Sequence, residues 1–158
     1  MNILILPAIA LRSMTVLPDM VIHFDISRES SIKALEKALS ADDQRIFLTA
    51  QTDLEIGDPT PDDLYKTGTV AVITQVFKLP DNVFRVQVEG KKKAIAQYIG
   101  DTEAGLAANV EVCDTWIKPA DDYTSKAMIS GLREVIRKIS IANPNLGKDM
   151  LKKWMDID

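Results

Sequence analysis

The pattern of apolar and polar positions predicts a first part of the chain that is mainly β-sheet. Short apolar runs rich in β-branched and aromatic residues favour strands at residues 3–6, 8–11, 20–26 and 45–50. Between the third and fourth runs, the spacing of Ile32, Leu35 and Leu39 predicts a helix of about three turns. Ser27 is suited to cap the start of this helix.

A stiff acidic segment, GDPTPDDLYKTGTVA, leads into the longest apolar run. Its two prolines disfavour both a helix and a strand ladder. Asp58 or Thr60 can cap a single turn at Pro61, and we expect Leu64 and Tyr65 to anchor the segment on the sheet. Because proline fixes φ, the segment loses less freedom on folding than a flexible loop would. We interpret it as architectural.

The following residues predict a hairpin and then two further strands. Residues 70–77 have the length and composition of a long strand, and LPDN supplies turn chemistry before apolar and polar residues alternate over residues 84–89. Gly90 allows a bulge, and residues 94–99 and 110–117 are predicted strands. About six or seven strands with one helix favour a small closed or nearly closed barrel, because an open sheet would leave long edges.

The composition becomes helical towards the end of the sequence. Residues 128–139 carry a wide apolar stripe, the helix is predicted to end near Pro144, and a second helix is predicted from Gly147. We interpret the stripe as bundle core, with an oligomer seam as the alternative. The predicted fold class is therefore α+β, with a barrel at residues 1–118 and the first part of a truncated helical bundle at residues 119–158.

Composition excludes some function classes. The chain of 158 residues has a formal net charge of −4, which disfavours a nucleic-acid partner. Its only cysteine, Cys113, allows no disulfide within the chain and fits a reducing cytoplasm, so we expect a cytoplasmic protein. The opening MNILILPAIALR lacks a basic leading segment and is interrupted by Pro7 and Arg12, so we expect neither a signal peptide nor a membrane partner.

Patterns that could carry catalysis or a metal are weak in this sequence. Ser30 and Lys33 fit an SxxK pattern, but the supporting SDN and KTG elements are missing. His23 is the only histidine, and Cys113 has no evident cationic neighbour to activate it. The carboxylates of the acidic segment lack the spacing of a calcium loop. We therefore predict no catalytic residue, no metal site and no cofactor in this chain.

Three stretches together resemble one family. They are LPAIALRSMTVLPDMVIHFDISRESSIKALEKAL, FLTAQTDLEIGDPTPDDLYKTGTVAVITQVFKLPDN and RVQVEGKKKA. They are similar to the amino-terminal substrate-recognition domain of the Lon family of ATP-dependent proteases. The resemblance implies a PUA-like β-barrel followed by a helical bundle. The family's ATPase motifs and its Ser-Lys dyad would lie beyond residue 158, so ATP and magnesium are implied for a longer parent protein.

The resemblance also implies a function, the capture of unfolded or damaged polypeptides for a linked ATPase and serine protease. Such clients offer apolar side chains and unpaired backbone, so we expect the binding residues on exposed sheet surface near the hairpin. The candidates are Phe77 and Leu79 before the turn, Gln87 on its partner strand and His23 on the neighbouring early segment.

Two other classes of function stay open at this point. One is a structural module that orders neighbouring subunits of a parent homohexamer and gates entry to it. The other is an RNA-binding module, since PUA-like folds elsewhere bind RNA. The run from Lys91 to Lys93 has no interleaved aromatic residues, which weakens that reading.

Overall fold

A computed structural model describes residues 2–114, 121–145 and 152–153. The chain divides into two compact units, Met1–Thr115 and Trp116–Asp158. The predicted boundary at residue 118 lies outside the described residues. In the described part of the first unit the strands are β1 (Ile3–Leu11), β2 (Val21–Ile26), β3 (Arg45–Ala50), β4 (Thr67–Leu79), β5 (Val83–Thr102) and β6 (Gly105–Val112), with one helix, α1 (Glu29–Leu39).

The strands close into a barrel. Their order is β2-β5-β4-β3-β1-β6. Because β5 also pairs with β6, the five strands from β5 to β6 in this order form a closed ring. β1 and β3 are parallel, whereas the other paired strands are antiparallel. β2 stays outside the closed ring and pairs with β5 in the described residues. The α+β class and the barrel are therefore confirmed.

Pro7 does not divide the first strand, although the sequence predicted two short runs there. β1 is continuous across Pro7, because the proline lies where the strand changes partner. Residues 3–7 pair with β6, and the pairing with β3 begins at Ala8. A missing N–H is tolerated at such a change of partner.

β5 is a single strand of 20 residues, whereas the sequence predicted two. Its first half pairs with β2 and β4, and its second half pairs with β4 and β6. The register against β4 shifts between Gly90 and Lys92, which leaves Lys91 as the extra residue of a bulge and confirms the expected irregularity at Gly90. The bend lets one strand serve both sides of the barrel.

The last strand of the barrel begins earlier than predicted. β6 starts at Gly105 instead of residue 110, after a tight turn in which the Thr102 hydroxyl donates to the Gly105 carbonyl at 2.6 Å. Gly105 has a φ of +87°, which glycine adopts without strain. The end of the predicted strand, residues 115–117, lies outside the described residues.

The predicted helix α1 is present, but its predicted cap is wrong. The N-cap is Arg28, one residue after Ser27, and no side chain caps the helix by a hydrogen bond. The inner face of α1 packs against β1, β3 and β6. Its buried residues are Ser31, Ile32, Ala34, Leu35 and Ala38.

Two hydrophobic clusters fill the first unit. The first cluster lies under α1 and includes Ile9, Phe24, Leu35, Val86 and Val88. The second cluster includes Phe47, Leu64, Ala96, Leu106 and Val110. In β3, Ile46 and Leu48 belong to the first cluster and Phe47 to the second, so both faces of that strand are buried. In β2 only alternate residues are buried, and the others face outward.

The acidic segment forms the short turn predicted at Pro61. The Asp63 carboxylate accepts from both the N–H and the hydroxyl of Thr60, each at 2.8 Å, and these bonds lower the pKa of Asp63. Leu64 is buried as expected, whereas the side chain of Tyr65 is 54% exposed. Tyr65 is attached through its backbone, which donates to the Ala50 carbonyl at 3.0 Å. The segment is therefore anchored by the side chain of Leu64 and by the backbone of Tyr65.

The described part of the second unit contains α2 (Asp122–Ala142). Asp121 caps it by accepting from the Thr124 N–H at 2.7 Å. The helix ends close to the predicted position, with Asn143 as its C-cap. The second helix predicted from Gly147 lies outside the described residues, apart from the helical pair at residues 152–153. Neither α1 nor α2 is a candidate for crossing a membrane.

Candidate functional site

The candidate site is the outward face of the sheet formed by β2, the first half of β5 and the second half of β4. Residues that pair directly across antiparallel strands lie on the same face. His23 pairs with Gln87, and Gln87 pairs in turn with Gln75. One row of hydrogen-bonding side chains therefore crosses all three strands. We call this surface the outer face.

A second row crosses the same strands two residues further along. Asp25 pairs with Arg85, and Arg85 pairs with Phe77. Closer to the turn, Leu79 pairs with Val83. The four residues predicted from the sequence, His23, Phe77, Leu79 and Gln87, thus lie on one face.

The predicted residues differ in how much surface they offer. Phe77 is 54% exposed and is the large apolar side chain of the outer face. His23 is also exposed, whereas Leu79 and Gln87 are half-buried. Val21 at the start of β2 adds a second apolar contribution, with 61% of its surface exposed. The face therefore combines apolar contact area with amide and imidazole groups.

An ion pair fixes the centre of the outer face. The Nε and Nη2 atoms of Arg85 donate to the two carboxylate oxygens of Asp25 at 2.8 and 3.0 Å. These hydrogen bonds lower the pKa of Asp25, and the same contact raises the pKa of Arg85. Because the pairing is bidentate, it orients both side chains across β2 and β5. It also leaves little net charge between His23 and Phe77.

The opposite face of the same strands holds the site in place. Ile22, Val76 and Phe84 are partly buried and pack against the first cluster. The Nζ atom of Lys78 lies 5.9 Å from the centre of the Phe84 ring and covers part of it. The turn between β4 and β5 contains Asp81 and Asn82, both with positive φ, which these residue types tolerate. The outer face thus rests on a packed layer and a defined turn.

Sequence reasoning missed several members of the outer face. Gln75, Arg85 and Asp25 lie between the predicted residues and complete the two rows. The alternation of residues 84–89 contains the signal for Arg85, since Phe84 and Val86 point to the other side. Asp25 depends on the register between β2 and β5, which the local pattern does not encode.

A second concave surface lies elsewhere on the first unit. It has a volume of about 530 Å³ and is lined mainly by apolar atoms, with contributions from Leu17, Pro18, Leu48, Tyr65 and Lys93. No local pattern in the sequence predicts it, because its walls come from the loop before β2 and from the ends of β3 and β4. We do not assign it to the candidate site, since its lining shares no residue with the outer face.

The other patterns considered for chemistry form no reaction centre. Lys33 of the SxxK pattern pairs with Glu29 at 2.9 Å, which raises the pKa of Lys33 and keeps it protonated instead of basic. Cys113 is half-buried. Among the described residues there is no cluster of three or more histidine, cysteine or acidic side chains that could hold a metal ion.

Comparison with known proteins decides the family. The family model for the substrate-binding domain of ATP-dependent protease La (LON) matches residues 5–158. The chain belongs to the Lon substrate-binding domain family. The resemblance stated from the sequence is therefore confirmed.

Related sequences carry the same family name. A Lon protease of Lachnoclostridium phytofermentans is 37% identical over 94% of this chain and 18% of its own length. A Lon protease of Bacillus thuringiensis is 46% identical over 82% of this chain and 16% of its own. The chain thus spans less than a fifth of the length of these Lon relatives.

Solved structures show the same fold at low sequence identity. The N-terminal domain of a Mycobacterium avium complex Lon protease superposes with a TM-score of 0.69 at 17% identity, over 97% of this chain and 75% of that chain. A Lon N-terminal domain protein from Xanthomonas campestris gives a TM-score of 0.56 at 15% identity, over 83% and 72% of the two chains. At this level of identity, the Lon structures are evidence for the fold alone.

Proposed function

We propose that this chain is the part of a Lon-type ATP-dependent serine protease that captures unfolded or damaged polypeptides, and that the outer face makes the contact. The chain itself is non-catalytic in this proposal. The ATPase with its ATP and magnesium, and the Ser-Lys dyad, belong to a longer cytoplasmic parent protein that assembles as a homohexamer.

The observation that carries the proposal is that Phe77 is exposed on the same face as the hydrogen-bonding side chains of His23, Gln75 and Gln87. An unfolded client offers apolar side chains and unpaired amides, and both kinds of group find partners on such a surface. Since the contact area is small, one copy binds weakly. Several copies in a ring would raise the affinity through effective concentration.

The test measures binding of the 158-residue chain to fluorescein-labelled, reduced and carboxymethylated α-lactalbumin, which stays unfolded in native buffer. Phe77→Ala should weaken binding about tenfold, since losing the buried part of this side chain costs roughly 1–2 kcal/mol. Tyr98→Ala is the matched control, because Tyr98 is an exposed aromatic residue on the second half of β5, away from the outer face. Equal affinities for the two variants would contradict the proposal.

A second candidate function rests on α2. Its exposed apolar residues Met128, Leu132, Val135 and Ile139 are between 49% and 67% exposed and follow one another at spacings of four, three and four. This spacing is typical of a seam between helices and favours a module that orders neighbouring subunits. Leu132→Glu should then abolish self-association in sedimentation velocity without changing binding of the unfolded probe.

RNA binding has less support. Lys91 and Lys92 pair with Glu89 and Asp114 at 2.8 and 2.6 Å, so they do not form an open positive patch. Titration of the chain with single-stranded RNA at two salt concentrations provides the comparison. Salt-sensitive binding tighter than that of the unfolded probe would favour the RNA-binding reading over polypeptide capture.

A further inference from the structure

β2 is the edge of the sheet that carries the outer face. It has six residues and pairs with β5 in an unbroken antiparallel register from Val21 to Ile26. No other strand of the described residues pairs with it. The side of β2 away from β5 therefore presents backbone groups without a strand partner.

The register determines which backbone groups these are. The Gly90 N–H donates to the Met20 carbonyl at 2.8 Å, so Met20 directs its carbonyl towards β5. In an antiparallel ladder, hydrogen-bonded positions recur every second residue. Ile22, Phe24 and Ile26 therefore direct their N–H and carbonyl groups towards β5.

The intervening residues are Val21, His23 and Asp25. Their N–H and carbonyl groups point away from β5, along the free side of β2. This arrangement is the hydrogen-bonding half of a missing strand. A chain in extended conformation has complementary groups at the same two-residue spacing.

A second edge in the same sheet is protected, and the contrast identifies β2 as the accessible one. The outer half of β4 has a bulge at Thr74, carries Lys78 and is followed directly by Pro80. Bulges, lysine and proline are the devices by which proteins prevent strands from adding to an edge. β2 contains none of the three, and its one charged residue, Asp25, is neutralised by Arg85.

A cavity lies beside the end of β2. It has a volume of about 360 Å³ and is lined by residues 24–28 on one side and by Leu11, Arg12 and Met14 on another. None of the described lining residues belongs to β5, so the cavity does not lie between the two paired strands.

We propose that the free edge of β2 binds an extended segment of an unfolded polypeptide as an additional β-strand. This inference rests on the proposed function and names the way in which the client is held. Backbone hydrogen bonds at Val21, His23 and Asp25 make the contact tolerant of client sequence. Alternate client side chains lie beside His23 on the outer face.

Two variants at one position separate the backbone from the side chain. His23→Pro removes the outward N–H, while His23→Ala removes only the imidazole and keeps the N–H. Proline is tolerated on an edge strand when its nitrogen faces solvent, so β2 stays paired with β5. Circular dichroism and thermal unfolding of both variants check that the barrel is intact.

The probe is the labelled, carboxymethylated α-lactalbumin used above. His23→Pro should weaken its binding about tenfold through the lost hydrogen bond and the obstructing ring, whereas His23→Ala should weaken it only about two- to threefold, because it removes the imidazole of the outer face and keeps the N–H. No loss in either variant, or the same loss in both, would overturn strand addition. If Phe77→Ala weakens binding while His23→Pro does not, polypeptide capture stands and only this inference fails.

Amide hydrogen exchange of the unaltered chain provides a measurement that needs no variant. Addition of the unfolded probe should slow exchange at Val21, His23 and Asp25, whereas Ile22 and Phe24 are already protected by β5. Exchange at the three outward amides that stays unchanged with saturating probe would contradict the inference.

Discussion

The inner and outer faces of the β2, β5 and β4 sheet consist of alternate residues of the same strands, yet they serve different purposes. On the inner face, Phe24, Val86 and Val88 are buried in the first cluster. On the outer face, His23 and Phe77 are exposed. The comparison shows that the inner face supplies core packing, while the outer face stays exposed and is the surface that we propose for binding.

The largest effect that tests this division comes from a pair of phenylalanines. Phe24→Ala should lower the free energy of unfolding by about 3–5 kcal/mol, because it opens a cavity in the first cluster. Phe77→Ala should lower it by less than about 1 kcal/mol, because half of that side chain is already in water. Urea denaturation measures both, and equal losses would mean that the two faces are not distinct.

An intermediate loss of stability is expected from a substitution at Gly90, where the residues before β2 bond to β5. A Cβ atom added at Gly90 would clash with the Leu17 carbonyl oxygen. The Gly90 carbonyl also accepts from the Asp19 N–H, and the Gly90 N–H donates to the Met20 carbonyl. Gly90→Ala should therefore cost about 1–3 kcal/mol of unfolding free energy through steric strain. Gly57→Ala is the control, since nothing lies within 4 Å of its added Cβ.

Binding by the Gly90→Ala variant sharpens the comparison further. If β2 must sit in register beside β5 for the outer face to work, affinity for the unfolded probe should fall together with stability. Full affinity in a destabilised variant would show that the outer face does not depend on the position of β2.

The smallest expected effect is the pH dependence of the stability that Asp25 contributes. The pKa of Asp25 is lowered in the folded chain by hydrogen bonds from Arg85, so its contribution to stability is present above the unfolded value of about 3.9. That contribution is lost as the pH falls through the folded pKa. The stability difference between the unaltered chain and Asp25→Asn should therefore shrink as the pH falls below about 4. A difference that is constant over this range would show that the ion pair is not formed.

Local sequence patterns predicted the hairpin, its two faces and the helix α1. Alternation of Phe84 and Val86 with Arg85 and Gln87 predicted the hairpin and its two faces, since periodicity and turn chemistry are properties of neighbouring residues. The spacing of Ile32, Leu35 and Leu39 predicted α1 for the same reason. The capping residue was missed because Ser27 and Arg28 are both compatible with a helix start until the chain path is known.

Pairing between strands that are distant in the sequence could not be predicted from periodicity. His23 and Gln87 meet because β2 pairs with β5 across more than 60 residues of sequence, and no local pattern specifies that register. The continuity of β5 through Gly90 also depends on distant contacts, with Leu17 and Met20. The same reasoning explains why the free edge of β2 becomes visible only in the folded chain.

Amide chemical-shift mapping of the isotopically labelled chain with unlabelled, carboxymethylated α-lactalbumin tests the central claim most directly. The account predicts that the largest shifts occur at His23, Phe77, Arg85 and Gln87, with little change at Ile5 and Tyr98, which are also exposed. Shifts confined to Ile5, Tyr98 or other residues away from the outer face would contradict the claim that this surface captures unfolded polypeptide.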